Sequence, residues 1–297
     1  MKNFVLIGAA GYIAPRHMKA IKETGNNLIA ALDPHDAVGM LDQYFPDCDF
    51  FTEFERFDRH CEKLKRQGTP VDYVVVCSPN YLHDAHIRFG LRIGADVICE
   101  KPVVLNPWNL EALMEMEKET GHNVYVLHQL RYHPAILALR EKVSNDPPEK
   151  NYKVELEYIT PRGNWYTYSW KGDTQKSGGV IANIGLHFFD MLLWIFGEVK
   201  EMKLEENTAR TASGSLLLEK ASVQWILSID KERLHTIRQG SVVSSFRSLV
   251  IDDNNLDFSN GFEELHTETY KAILQGAGTG LAATKDVINL MHELKSL

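Results

Sequence analysis

Phe4-Val5-Leu6-Ile7-Gly8-Ala9-Ala10-Gly11-Tyr12-Ile13-Ala14 carries the strongest architectural signal near the start of the chain. Its apolar opening reads as a strand covered on both faces, and it runs directly into a turn of glycine and alanine that opens a helical pattern. Strand, small-residue turn and helix in that order form a variant of the dinucleotide fingerprint, with alanine at the second and last glycine positions. Gly8 permits the tight turn. Small Ala10 and Gly11 let backbone amides approach a pyrophosphate, Ala14 lets the helix pack closely on the strand, and the helix N-terminus at Tyr12 and Ile13 faces the anion. Asp33 closes the next apolar run, about 20 residues farther on, where a carboxylate accepts hydrogen bonds from the adenosine ribose and repels a 2′-phosphate. Pro34, His35 and Asp36 offer that phosphate no arginine or lysine, so the pattern calls for NAD rather than NADP. The competing role for Asp33 is a plain helix cap.

Outward from this unit, residues 28–33, 71–78, 96–101 and 123–131 repeat the strand pattern. Residues 18–24, 59–67, 84–93 and 110–120 carry apolar residues at helical spacing between them. That alternation predicts an α/β fold with an N-terminal Rossmann doubly wound parallel sheet. After residue 132 the rhythm changes. One helix over 135–143 precedes a strand over 153–160, an aromatic loop, a helix near 182–195, and strands over 199–207, 213–218, 221–229 and 247–251 joined by short connections. This suits a C-terminal α+β domain with a mostly antiparallel open sheet, followed by two closing helices. The expected division is an NAD-binding domain over 1–125 and a substrate-binding and oligomerisation domain over 126–297.

Composition excludes other classes. A net charge of -8, with acids and bases interleaved, gives no basic face to neutralise a nucleic-acid backbone. No run of about 18 apolar residues is expected to span a membrane, and the glycine turn falls where a signal peptide would have its apolar centre, so the expectation is a soluble, cytoplasmic protein. The four cysteines show no CxxC pairing, and Cys77 and Cys99 lie in apolar strand patterns as small hydrophobes. Twelve histidines show no HExxH or Cys/His spacing, so no metal is expected.

Two further strand patterns end in polar residues, Ser78-Pro79-Asn80-Tyr81-Leu82-His83 and Glu100-Lys101-Pro102. In a doubly wound sheet ligands sit beyond the carboxyl ends of the strands, so Ser78, Asn80, His83, Glu100 and Lys101 are expected near the cofactor. A lysine at a buried strand tip is desolvated, which lowers its pKa toward values useful for proton transfer.

SPNYLH, EKP and the stretch Gly178-Gly179-Val180-Ile181-Ala182-Asn183-Ile184-Gly185-Leu186-His187-Phe188-Phe189-Asp190 resemble the motifs of the Gfo/Idh/MocA oxidoreductases. The resemblance implies that Lys101 and His187 surround a reacting hydroxyl. Where many members have aspartate this chain has Asn183, which cannot accept a proton, so the base is either Lys101 or His187. Asn183 and His187, four apart, are expected on one helix face.

GAAGYIAPRHMKAI, ICEKP, QLRYHP, RGNWYTYSWKGD and NIGLHFFDMLLWIFG resemble more specifically the WlbA/WbpB group of that family. That resemblance implies NAD-dependent oxidation of the 3-hydroxyl of UDP-N-acetylglucosaminuronic acid in O-antigen assembly, by a homotetramer, in some members with 2-oxoglutarate as hydride acceptor. It adds Gln129 to the cofactor contacts. A diphosphate and a uronate need cations, and Arg16, Arg131, Arg162 and Lys171 stand near these motifs, each equally compatible with a solvated surface charge. Tyr132, Trp165, Tyr166, Tyr168 and Trp170 suit stacking on uracil or sugar, or a subunit contact.

Overall fold

The computed structural model describes residues 1–237, 245–257 and 261–297, which fall into two compact units. The first comprises Met1–Gln129 and Glu263–Lys285. Its chain runs β1 (Asn3–Ile7), α1 (Ala14–Glu23), β2 (Asn27–Leu32), α2 (Met40–Tyr44), β3 (Asp49–Phe51), α3 (Phe54–Arg66), β4 (Tyr73–Val76), α4 (His83–Ile93), β5 (Asp96–Cys99), α5 (Pro107–Thr120) and β6 (Val124–Val126). The strands are all parallel in the order β3-β2-β1-β4-β5-β6. Phe4, Val5, Leu6, Val74, Val75 and Val76 are fully buried, as a sheet covered on both faces requires. The order reverses between β1 and β4, and ligands of such sheets bind beyond the strand ends at that point.

The strand expected over 123–131 stops at Val126, because the His128 amide turns back onto the Val126 carbonyl at 2.9 Å and a 3₁₀ turn (Gln129–Tyr132) follows. Residues 263–285 also return to the first unit instead of belonging to the second. Their helix buries Tyr270 and Ile273 in the cluster of Phe4, Met18 and Ile21, with Tyr270 stacked 6.0 Å from Phe4.

The second unit comprises Leu130–Phe262 and Asp286–Leu297. It contains α6 (Pro134–Asn145), β7 (Tyr152–Ile159), α7 (Trp165–Tyr168), α8 (Thr174–Ser177), a π-helical turn (Ile181–Gly185), α9 (Leu186–Phe196), β8 (Val199–Asn207), β9 (Thr211–Leu218), β10 (Ala221–Ser228), α10 (Lys231–Ile237), β11 (Phe246–Ile251) and β12 (Asn254–Asn255). The helix returned to the first unit is α11 (Leu265–Leu274), and α12 (Lys285–Ser296) closes the second. The sheet order is β12-β11-β7-β10-β9-β8, antiparallel except for β7 beside β10. Tyr152, Val154, Leu156, Val223, Trp225 and Leu227 face inward in strict alternation, and α9 covers them with Phe189 edge-on to Trp225 at 5.1 Å and Phe196 against Tyr152 at 5.5 Å. The run Thr174–Phe196 is long and apolar enough to cross a membrane by length and composition, contrary to expectation. Its most apolar window is 72% buried, as in the core helix of a globular unit.

Candidate active site

The turn after β1 is closed by backbone bonds to the end of β2 and within itself. The Gly8 and Ala9 amides donate to the Leu32 carbonyl at 2.8 and 3.2 Å, and the Gly11 amide to the Gly8 carbonyl at 3.0 Å. Gly8 has φ of +98°, and a Cβ there would stand 2.7 Å from the Cys77 carbonyl carbon, so conformation and space both demand glycine. The Ala10 amide, expected to face a pyrophosphate, instead donates to Asp33 at 2.9 Å. Asp33 also accepts the His35 amide at 2.9 Å and keeps lone pairs for ribose hydroxyls. The Tyr12 and Ile13 amides have no hydrogen-bond partner among the described residues. They stand at the N-terminus of α1, whose first turn holds no acid, so the turn fits the pyrophosphate of a dinucleotide.

The tips of β4 and β5 are tied to each other. His83, 1% exposed, sets its ring nitrogens 2.8 Å from the Ser78 carbonyl and 2.7 Å from the Pro102 carbonyl, which leaves no ring nitrogen for a cofactor. The Ser78 hydroxyl meets His86 Nδ1 at 2.8 Å, and burial pushes His86 down to about 4. Asn80 opens the 3₁₀ turn Asn80–Leu82, and the Lys101–Pro102 peptide is cis. Lys101 is half-buried rather than enclosed. Burial pushes the Cys77 and Cys99 thiols well up, which keeps them neutral.

Glu100 carries a cluster that sequence spacing does not announce. Its Oε1 lies 3.2 Å from His17 Nε2 and 3.3 Å from His266 Nε2, and its Oε2 accepts the Lys101 amide at 3.2 Å. Tyr270 donates to His17 Nδ1 at 2.8 Å. Burial opposes ionisation of Glu100, but the hydrogen bonds from His17 and His266 outweigh it and hold the carboxyl well below the ordinary range. The three ligand-type atoms of His17, Glu100 and His266 lie within 4.8 Å of one another, a grouping whose members stand too far apart in sequence for a metal motif.

In the second unit Asn183 donates its amide to the Tyr166 hydroxyl at 2.7 Å, and Tyr166 is 3% exposed. Asn183 lies in the π-helical turn and half-buried His187 in α9, so their spacing crosses a π-to-α junction rather than one continuous helix face. Such π turns recur at functional sites. Lys171 Nζ sits 5.3 Å from the Trp165 ring and 5.5 Å from the Trp170 ring. Burial and the neighbouring charge of Arg162 both lower Lys171 below an ordinary lysine. Neither cation has a carboxylate partner among the described residues. Arg131 differs, since its Nε and Nη2 clasp the Asp190 carboxylate at 2.9 and 2.6 Å. In the first unit Arg16 lies half-buried on α1. A cavity of about 600 Å³ in the first unit is lined by Phe54, His86, Arg88, Phe89 and Arg92, and its arginines are paired with Asp84 and Asp58.

Residues 2–128 match the oxidoreductase family model of the NAD-binding Rossmann fold, and residues 149–215 match its C-terminal alpha/beta domain. The chain belongs to the Gfo/Idh/MocA oxidoreductase family. It is 44% identical to the WlbA (WbpB) dehydrogenase of Thermus thermophilus solved in complex with NAD and UDP-GlcNAcA, with 100% of this chain and 95% of that one covered at a TM-score of 0.95. The same enzyme solved with NAD and alpha-ketoglutarate aligns at 45% identity, 100% and 96% coverage, and a TM-score of 0.95. The inositol 2-dehydrogenase of Rhizobium meliloti is 25% identical over 220 residues, 74% of this chain and 60% of that protein. The chain spans about half the length of the curated relatives it matches, 48% of the putative oxidoreductase YteT of Bacillus subtilis among them.

Within this Gfo/Idh/MocA chain the structure gathers Gly8, Ala10, Gly11, Tyr12, Ile13 and Asp33 at one turn, and Ser78, Asn80, His83, Glu100 and Lys101 at two adjacent strand tips. Gln129 ends the first unit, whereas Arg131, Tyr132, Arg162, Trp165, Lys171, Asn183 and His187 belong to the second. Sequence reading missed Asp190 as the anchor of Arg131, although both lie inside quoted motifs. It missed Tyr166 as the partner of Asn183, and His17, His266 and Tyr270 altogether.

Proposed function

We propose that this chain is an NAD-dependent dehydrogenase that oxidises the 3-hydroxyl of UDP-N-acetylglucosaminuronic acid to the 3-keto sugar. The observation that carries the reading is the Arg162 and Lys171 pair. Two neighbouring cations held together without a carboxylate among the described residues repel each other, and an anion relieves that repulsion. Trp165 and Trp170 beside Lys171 suit a ring-bearing anion, so a nucleotide sugar with a uronate meets the chemistry of the loop. The similarity to an enzyme solved with NAD and UDP-GlcNAcA supports the choice of sugar.

Bound at the Gly8 turn, NAD supplies the hydride acceptor. The chain's own work is to orient the sugar and to take a proton. As the hydride leaves C3, the hydroxyl O–H bond breaks, its electron pair becomes the second C–O bond, and its proton passes to a neutral Lys101 amine or the His187 imidazole. Asn183, fixed by Tyr166, orients the sugar without titrating. The dicarboxylate 2-oxoglutarate suits the same cations, and the Thermus enzyme solved with alpha-ketoglutarate supports it as the acceptor that regenerates NAD. The 3-keto product suits a later transamination in assembly of a surface polysaccharide.

Lys101→Ala is expected to lower NADH formation from UDP-N-acetylglucosaminuronic acid by about a thousandfold, within the range for lost general acid–base catalysis, with the NAD dissociation constant unchanged. Undiminished turnover removes the lysine from the reaction.

A further inference from the structure

We propose that His17 and His266 are positioning residues that aim Lys101 by clamping the Glu100 carboxylate. The inference rests on the reading of Lys101 as a group that handles the substrate proton, and it assigns the lysine's support.

Glu100 is the residue before the lysine, at the end of β5, and its side chain is only 13% exposed. One carboxylate oxygen faces two imidazoles and the other accepts the Lys101 backbone amide. A carboxylate so placed dictates where the Lys101 backbone lies, and the imidazoles dictate where the carboxylate lies. His83 holds the other side of the same tip through the Pro102 carbonyl.

The imidazoles are themselves fixed. His17 is fully buried on α1, and Tyr270 donates to its Nδ1, which places the ring proton on Nε2 toward Glu100. His266, 1% exposed, meets the ring of His17 edge-on at 5.1 Å. Both His266 and Tyr270 come from α11, the helix that returns to the first unit from far along the chain. Packing alone asks only for apolar groups at such a site, whereas two N–H donors converging on one oxygen are a device for holding a charge in place.

The test is a kinetic cycle on the full-length protein with NAD and UDP-N-acetylglucosaminuronic acid. His266→Leu is expected to lower kcat by about 10- to 100-fold, the scale of a misplaced reacting group, with KM and the NAD dissociation constant within about twofold. His266→Gln restores an N–H donor and is expected to recover most of that loss. In a Lys101→Ala background His266→Leu should cost nothing further, because the histidine acts only through the lysine. Should the leucine variant fail to fold, Tyr270→Phe, which removes only the hydroxyl behind His17, carries the same cycle with a smaller loss.

Losses that multiply in the double variant overturn the clamp and leave the lysine in its role. So does one equivalent of a divalent metal in the purified protein that His266→Leu releases, since the three groups would then be ligands. Full turnover in Lys101→Ala alone overturns both this proposal and the reading beneath it.

Discussion

Arg131 is 12% exposed at its side chain and locked by two hydrogen bonds to Asp190, itself 2% exposed, while Trp194 lies 5.5 Å from its guanidinium. Lys171, in the same unit, lies beside the Trp165 and Trp170 rings and feels the charge of Arg162, and neither cation has an acid partner among the described residues. The residue types match and the sequence motifs around them are equally suggestive. What separates them is the counterion. A cation already neutralised inside the fold serves the fold, and one held without an anion is arranged for a ligand that brings it.

The sharpest way to break this contrast is to remove the acid. Asp190→Ala leaves the Arg131 guanidinium buried without its partner and is expected to cost about 3–5 kcal/mol of stability, read from denaturant unfolding. A loss below about 1 kcal/mol together with a large change in substrate KM would instead make Arg131 a substrate ligand. Lys171→Gln should do the reverse, raising KM for the nucleotide sugar about tenfold, or about 1.4 kcal/mol, with unfolding and NAD affinity unmoved.

The pH dependence of Lys171 gives the smallest effect, and its sign follows from the lowered pKa. Substrate KM is expected to rise as pH climbs through that pKa, because the ammonium that meets the anion is lost. For the ligand-free protein linkage runs the other way. Between the lowered folded value and the ordinary lysine value of 10.5 the unfolded chain binds more protons, so stability contributed at this site increases with pH across that window. Lys171→Gln should flatten both slopes.

The first half of the fold was legible because its signals are local. Gly8 to Ala14 states a turn in consecutive residues, and the strand and helix periods around it leave few alternatives. What escaped was non-local. The pairing of Arg131 with Asp190 joins residues 59 apart, and Glu100 meets His17 across 83 residues and His266 across 166. No spacing rule covers such distances, and the return of α11 to the first unit is decided by where Tyr270 and Ile273 find apolar cover. His83 and Ala10 stand beyond strand ends, and the bonds they make there are to the protein itself.

The decisive comparison is NADH formation by the purified protein with UDP-N-acetylglucosaminuronic acid against neutral UDP-N-acetylglucosamine and myo-inositol under identical conditions. Arg162 and Lys171, with no carboxylate partner among the described residues, predict that the uronate is oxidised with a kcat/KM at least about tenfold above the neutral nucleotide sugar, and that inositol gives no turnover. Equal rates with acid and neutral sugars, or oxidation of inositol alone, would contradict it.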